Sequence, residues 1–66
     1  MIQVDLKARI ETLLKQKLAI NYRYCGTNTD GHMMFKNKYN FKVTVTRQTQ
    51  CAIWVETTNY EQVFKY

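Results

Sequence analysis

The part of this chain that points most directly to a chemical role is a set of evenly spaced lysines. Polar and aromatic residues lie near them. Lys36, Lys38 and Lys42 are separated by even numbers of residues. On an extended strand, side chains two apart lie on one face about 6.6 Å from each other, close to the phosphate spacing of an extended nucleic-acid strand. The predicted contact surface collects the following residues: Arg23, Lys36, Lys38, Asn40, Lys42 and Trp54.

Trp54 is the single residue of this set that we expect to contribute most to binding. An exposed indole provides a surface on which a base can stack, an interaction worth about 1 to 3 kcal/mol per base. Tryptophan is also enriched among the residues that dominate protein interfaces. The alternative interpretation is that Trp54 is covered by the C-terminal segment or a second subunit, and that the lysines occupy the solvated face of a half-buried sheet.

The residues that could support acid–base, nucleophilic or metal chemistry are few. Cys25, His32 and Cys51 lack the paired spacing with which one local turn presents two ligands to a metal. His32 follows a predicted turn and has no assured carboxylate or nucleophile beside it. The chain has no serine and no carboxylate pair at a spacing typical of acid–base catalysis. We therefore expect no enzyme activity, no metal and no cofactor.

The first element that must position these residues is a helix. Apolar residues at helical spacing form one stripe: Ile2, Leu6, Ile10, Leu13 and Leu14. This spacing predicts an amphipathic helix over the first fifteen or so residues. From Leu18 onward the apolar residues alternate with period two, so we place the end of the helix near Gln16.

The second element is a hairpin centred on Asp30-Gly31, a dipeptide that favours a two-residue type I′ turn. Pairing outward from this turn sets Arg23 opposite Lys38 on the outward face. The inward pairs are then Tyr24 with Asn37, Tyr22 with Tyr39, Ile20 with Phe41, and Leu18 with Val43. The second strand of the hairpin continues to Thr46, with Tyr39, Phe41, Val43 and Val45 facing inward.

A third strand follows an odd-length loop around residues 48–50. This loop pairs Val45 with Ile53 and Val43 with Val55 on the core side. On the outward side it pairs Lys42 with Glu56 and Thr44 with Trp54.

Two interpretations remain open for the last nine residues. Thr58 and Glu61 resemble a capping box, which predicts a short helix, whereas Tyr60, Gln62, Phe64 and Tyr66 alternate as in a strand. The predicted fold is therefore α+β, in one domain over residues 1–66. An N-terminal amphipathic helix packs on a three-stranded antiparallel meander, with a short C-terminal helix or a fourth strand.

Composition favours an anionic partner and excludes a membrane span. Ten Lys or Arg residues against five Asp or Glu give a net charge of +5, and 45% of the residues are hydrophobic. Charges interrupt the N-terminal apolar residues before a signal-peptide core could form, and no apolar run approaches the length of a transmembrane helix. We expect a cytoplasmic protein without membrane contact.

The function predicted from these observations is that of a small nucleic-acid-binding protein, with single strands favoured. The alternative is a stand-alone protein-binding module, such as a phage-type inhibitor of an acidic host enzyme or a nucleoprotein complex, with Trp54 as its anchor. A homodimer fits either function, because an unpaired sheet edge and a small core both favour self-association.

The predicted order of helix, sheet and helix resembles the double-stranded RNA-binding fold. Small toxin ribonucleases of that fold use a histidine beside the sheet, and the resemblance implies His32 for that role as a further alternative. The resemblance covers element order only. The final segment carries Lys65 as its one cation and lacks the family's basic helix-terminal cluster.

Overall fold

One helix and five strands make up the part of the chain that the computed structural model describes, residues 6–58 and 60–66. In chain order the elements are α1 Leu6–Leu18, β1 Arg23–Thr27, β2 Met33–Lys36, β3 Lys42–Gln48, β4 Ala52–Glu56 and β5 Glu61–Lys65. The strands form one antiparallel sheet in the order β1-β2-β3-β4-β5. The three-stranded meander and the C-terminal helix are wrong. The last segment is a strand, as in the alternative interpretation, but it is the fifth strand and not the fourth.

One additional strand arises because the long strand predicted up to Thr46 is broken at Asn37 into β2 and β3. The side chain of Asn37 is buried, and its Oδ1 accepts the backbone N–H groups of Tyr39 at 2.8 Å and Phe41 at 3.1 Å. Asn40 takes a positive φ of 66°, which asparagine tolerates better than most residues. The chain therefore reverses over residues 37–41, and β2 pairs with β3 through Phe35 and Val43.

A loop of the same kind replaces the predicted two-residue turn at Asp30-Gly31. Oδ1 of Asn28 accepts the N–H groups of Asp30 at 3.0 Å and His32 at 2.9 Å, and Gly31 has a positive φ of 83°. The loop spans residues 28–32, because the Asn28 N–H donates to the His32 carbonyl.

The hairpin register predicted from Asp30-Gly31 is therefore wrong. Tyr24 lies opposite Phe35, Arg23 lies opposite Lys36, and a bulge separates Tyr24 from Gly26. None of the four predicted inward pairs forms, and Leu18 belongs to α1.

The β3–β4 register also differs from the prediction. A β-bulge between Val45 and Arg47 adds a residue to β3, and Thr49 Oγ1 accepts the N–H groups of Cys51 and Ala52 in the following loop. The observed pairs are Thr44 with Glu56, Val45 with Val55, Arg47 with Trp54 and Gln48 with Ile53. The predicted pairs of Val45 with Ile53, Val43 with Val55, Lys42 with Glu56 and Thr44 with Trp54 are wrong.

The core lies between α1 and one face of the sheet. The helix contributes Ile10, Leu13 and Leu14, as its apolar stripe predicts, whereas Leu6 of the same stripe is exposed. The helix ends at Leu18 instead of Gln16. Ile2 lies outside the described residues. The sheet and the α1–β1 connection contribute the buried side chains of Tyr22, Phe35, Val43, Val45, Ile53 and Val55.

Two side chains attach α1 to opposite ends of the sheet. Glu11 Oε2 accepts a hydrogen bond of 2.8 Å from the backbone N–H of Tyr24 in β1. On the other side, Arg9 donates to the Gln50 carbonyl at 3.2 Å, and its guanidinium lies 3.9 Å from the centre of the Tyr66 ring. These contacts add polar attachments to the apolar packing between α1 and the sheet.

Replacement of Glu11 by alanine is expected to lower the free energy of unfolding by about 1 to 2 kcal/mol, because the Tyr24 N–H loses a charged acceptor in a partly buried position. Urea denaturation followed by circular dichroism measures this loss. Gln16→Ala, at an exposed position of the same helix, is the control and should change stability by less than about 0.5 kcal/mol. Equal losses in the two variants would show that the Glu11 contact adds nothing to stability.

Candidate functional site

Three cations lie side by side on the outer face of the sheet, the face opposite α1. Arg23 is paired with Lys36, and Lys36 is paired with Lys42. Residues directly opposite one another share a face, and the adjoining set of Tyr24, Phe35 and Val43 faces the core, so these three side chains point outward. We call Arg23, Lys36 and Lys42 the basic row. With strands about 4.8 Å apart, its Cα atoms span about 10 Å.

The electrostatics of the basic row are unfavourable without a ligand. Each pairing within the row sets one cation directly opposite another. Like charges in directly opposed positions destabilise a sheet. An anion placed over the row would offset this repulsion, because it attracts each of the cations.

The loop of residues 37–41 connects two members of the basic row, Lys36 and Lys42, and carries two exposed aromatic rings. Tyr39 is 58% exposed and Phe41 is 66% exposed, although both were predicted to face the core. We call residues 37–41 the aromatic loop. The buried Asn37 side chain holds its backbone, so the two rings are presented by an ordered turn.

A groove of about 660 Å³ lies beside the basic row. Residues 19–21 form one wall, residues 36–39 form the other, and Arg23 completes the lining. The Lys38 ammonium lies 5.1 Å from the centre of the Tyr39 ring. The groove thus brings cationic groups and an aromatic ring together at one end of the sheet.

Trp54 lies on the outer face but apart from the basic row. It is half-buried and paired with Arg47 on one side and Val63 on the other. The Arg47 guanidinium lies 4.8 Å from the centre of the indole. A row containing Thr44, Glu56 and Glu61 lies between the indole and the basic row, and it carries two carboxylates.

The structure therefore divides the predicted contact surface. Arg23, Lys36 and Lys42 come together across three strands, and Lys38 joins them at the groove. Asn40 lies in the aromatic loop, where its N–H donates to the Asn37 carbonyl at 3.1 Å. Sequence reasoning wrongly assigned Tyr39 and Phe41 to the core and gave no role to Arg47. For the two rings a signal existed, because Asn37 and Asn40 repeat the spacing of Asn28 and Gly31, whereas nothing in the sequence marks the bulge that aligns Arg47 with Trp54.

Cys25, His32 and Cys51 do not form a site. Among residues 6–58 and 60–66 there is no group of three or more His, Cys, Asp or Glu side chains that could hold a metal ion. Cys25 lies in the β1 bulge, and the backbone N–H groups of His32 and Cys51 donate to side-chain oxygens within their loops. The resemblance to the double-stranded RNA-binding fold also loses its basis, because the final segment is a strand.

Among the titratable groups of the described residues, the phenol of Tyr66 has a perturbed pKa, and it lies directly after β5, far from the basic row. Burial raises the pKa of the Tyr66 phenol, and the nearby Arg9 guanidinium partly offsets the increase. The phenol therefore remains neutral throughout the physiological range, and Arg9 contacts a neutral ring.

Comparison with protein-family models, curated proteins and solved structures finds no match to this chain. In the described part of the chain, α1 is too short and too polar to cross a membrane. The function has to be inferred from the cations of the outer face and the exposed rings of the aromatic loop.

Proposed function

We propose that this protein binds single-stranded nucleic acid with the basic row and the aromatic loop. The observation that carries the proposal is the row itself, in which each opposed pair consists of two cations, beside two exposed aromatic rings. A phosphate backbone is the polyanion best suited to such a row, since contacts between cations and phosphates supply most of the affinity in sequence-independent binding.

In the proposed complex, the strand crosses β1, β2 and β3 with its phosphates between neighbouring cations. Bases at the β2–β3 end then stack on Tyr39 and Phe41, a contact that requires unpaired, splayed bases. Lys38, at the groove, adds a further cation beside the Tyr39 ring.

The stacking role thereby passes from Trp54 to the aromatic loop. A strand that extended from the basic row to Trp54 would pass the carboxylates of Glu56 and Glu61, which repel phosphate. One side of the indole already contacts Arg47. We therefore expect Trp54 to contribute less to binding than either ring of the loop.

The proposal is tested by fluorescence anisotropy with labelled single-stranded DNA and RNA at several salt concentrations. Three or four phosphate contacts predict a slope of log affinity against log salt of about −2 to −3. Loss of both rings in the double variant Tyr39→Ala, Phe41→Ala should weaken binding about tenfold or more with little change in this slope.

Tyr60→Ala serves as the matched control, because Tyr60 is as exposed as Tyr39 but lies outside the aromatic loop. It should leave the affinity unchanged. An absence of binding to DNA and RNA at low salt would overturn the proposal.

A protein partner is the second candidate, because exposed aromatic side chains beside cations are also typical of protein-binding surfaces. In this second proposal the protein is a binding module that blocks an acidic or nucleoprotein target. Recovery of one stoichiometric protein from a host lysate after nuclease treatment would favour this function. Recovery that is lost with nuclease would favour nucleic acid.

A further inference from the structure

The free edge of β5 carries a pattern of charges and backbone hydrogen-bonding groups that is complementary to itself. β5 is the last strand in the sheet order, and within residues 6–58 and 60–66 no strand pairs with its outer edge. Tyr60 accepts a hydrogen bond from Thr57, and Tyr66 donates one to Cys51, so both are bonded on the β4 side. Hydrogen-bonded positions alternate along an antiparallel strand. The backbone N–H and C=O groups of Glu61, Val63 and Lys65 therefore point away from the sheet.

The side chains of this segment are unusually exposed for their size. Tyr60 is 59% exposed, Val63 is 47% exposed and Tyr66 is 41% exposed. Exposed apolar side chains along an unpaired strand edge are typical of a surface that another strand covers.

We propose that β5 pairs antiparallel with β5 of a second copy, about a two-fold axis at Val63. In this register Val63 lies opposite Val63 of the second copy, and Glu61 lies opposite Lys65 in both symmetry-related pairs. Every outward N–H and C=O group of the three residues obtains a partner. On the inner face, Tyr60 lies opposite Tyr66 and Gln62 lies opposite Phe64 of the second copy.

No other two-fold register is as favourable. Outward hydrogen-bonding groups belong only to the odd-numbered residues of β5. An antiparallel register must therefore set odd-numbered residues opposite one another, and the two-fold axes that allow this lie one residue apart along the strand. An axis at residue 62 or 64 leaves part of the edge unpaired and places a charged residue opposite Val63. An axis at Glu61 or Lys65 sets identical charges opposite each other, which destabilises pairing. Charge complementarity thus selects both the register and the occupant, a second copy of this chain.

The paired copies would share one continuous antiparallel sheet, with both helices on the same side. The outer-face row of Arg47, Trp54 and Val63 then continues into the same row of the second copy. Trp54 and Val63 of the two copies form an apolar strip across the junction. The basic row is on strands β1 to β3, at the far end of each sheet, and stays accessible. Dimerisation and nucleic-acid binding can therefore succeed or fail independently.

Reversal of charges tests the register. Sedimentation velocity at low salt over a wide range of protein concentration should show a concentration-dependent dimer. Lys65→Glu or Glu61→Lys alone sets like charges opposite in both symmetry-related pairs and should raise the dimer dissociation constant about tenfold. The double variant, or an equimolar mixture of the two single variants, should restore dimerisation.

Glu61 also accepts a hydrogen bond from Thr46 Oγ1 at 3.2 Å, so Glu61→Lys removes a contact within one copy. Restoration in the mixture separates this effect from the pairing between copies. A wild-type protein that is monomeric at all concentrations, or a dimer that is insensitive to both reversals, would overturn the proposal.

Val63→Pro tests the backbone contact. Proline lacks the outward N–H of Val63 but leaves the hydrogen bonds to β4 in place, a position that an edge strand tolerates. This variant should keep the circular dichroism spectrum of the wild type and become monomeric. A folded Val63→Pro protein with the wild-type dissociation constant would show that the edge of β5 is not the interface.

Discussion

The double variant Lys36→Gln, Lys42→Gln is expected to bind single-stranded nucleic acid about 10- to 30-fold more weakly than the wild type at low salt. Two phosphate contacts are lost, so the salt slope should become shallower by about 1.4, at about 0.7 per contact for single strands. Anisotropy titrations of both proteins over one salt series measure the affinity and the slope together.

The same variant should be slightly more stable than the wild type. Lys36 lies opposite both Arg23 and Lys42, and removal of these cations relieves repulsion worth a few tenths to about 1 kcal/mol. Urea denaturation checks this expectation. A loss of binding together with a gain in stability is the result expected when cations are kept for a ligand and not for the fold.

Lys15→Gln, Lys17→Gln is the matched control. It removes the same net charge through the same chemistry from exposed positions on α1, which covers the other face of the sheet. Its affinity should fall by less than about threefold, through the change in net charge alone. Equal losses in the two double variants would show that attraction is diffuse and that the basic row is not the binding site.

Replacement of Asn37 by alanine is expected to lower the free energy of unfolding by about 2 to 3 kcal/mol, much of what a domain of this size possesses. The Asn37 side chain is 6% exposed, and its Oδ1 accepts two backbone N–H groups, both of which lose their acceptor in the variant. Urea denaturation monitored by circular dichroism measures the change.

Asn28→Ala is the natural comparison, because Asn28 makes the same pair of hydrogen bonds in the first loop but is only half-buried. Its cost should be smaller, about 1 kcal/mol, since water can reach the released N–H groups. Asn37→Asp keeps the acceptor and should retain more stability than Asn37→Ala. If the two alanine variants lost equal stability, burial of the Asn37 acceptor would not be what holds the aromatic loop.

Much of the fold's local character could be predicted from the sequence. The helical spacing of Ile10, Leu13 and Leu14 predicted α1 and its buried face, and the alternation around Val43 and Val55 predicted which face of the later strands is buried. These features follow from periodicity, which is set within a few residues of each position and needs no knowledge of distant partners.

The candidate site was predicted in part. Lys36 and Lys42 do share a face with Arg23, but the two lysines lie opposite each other on adjacent strands and not along one strand. Tyr39 and Phe41 were assigned to the core because the strand was continued through Asn37. The strand instead ends at Lys36, and the side-chain oxygen of Asn37 accepts two N–H groups of the loop that follows.

The amino-acid sequence alone determined an amphipathic helix, strands with one apolar face, and an excess of cations. The tertiary structure alone decided the register, and therefore which residues lie side by side. Loops organised by Asn28 and Asn37 and bulges near Tyr24 and Val45 each shift the pairing by a residue or more. A change of register leaves the alternation within each strand unchanged while it changes every cross-strand neighbour. The energy that selects one register comes from contacts between distant parts of the chain.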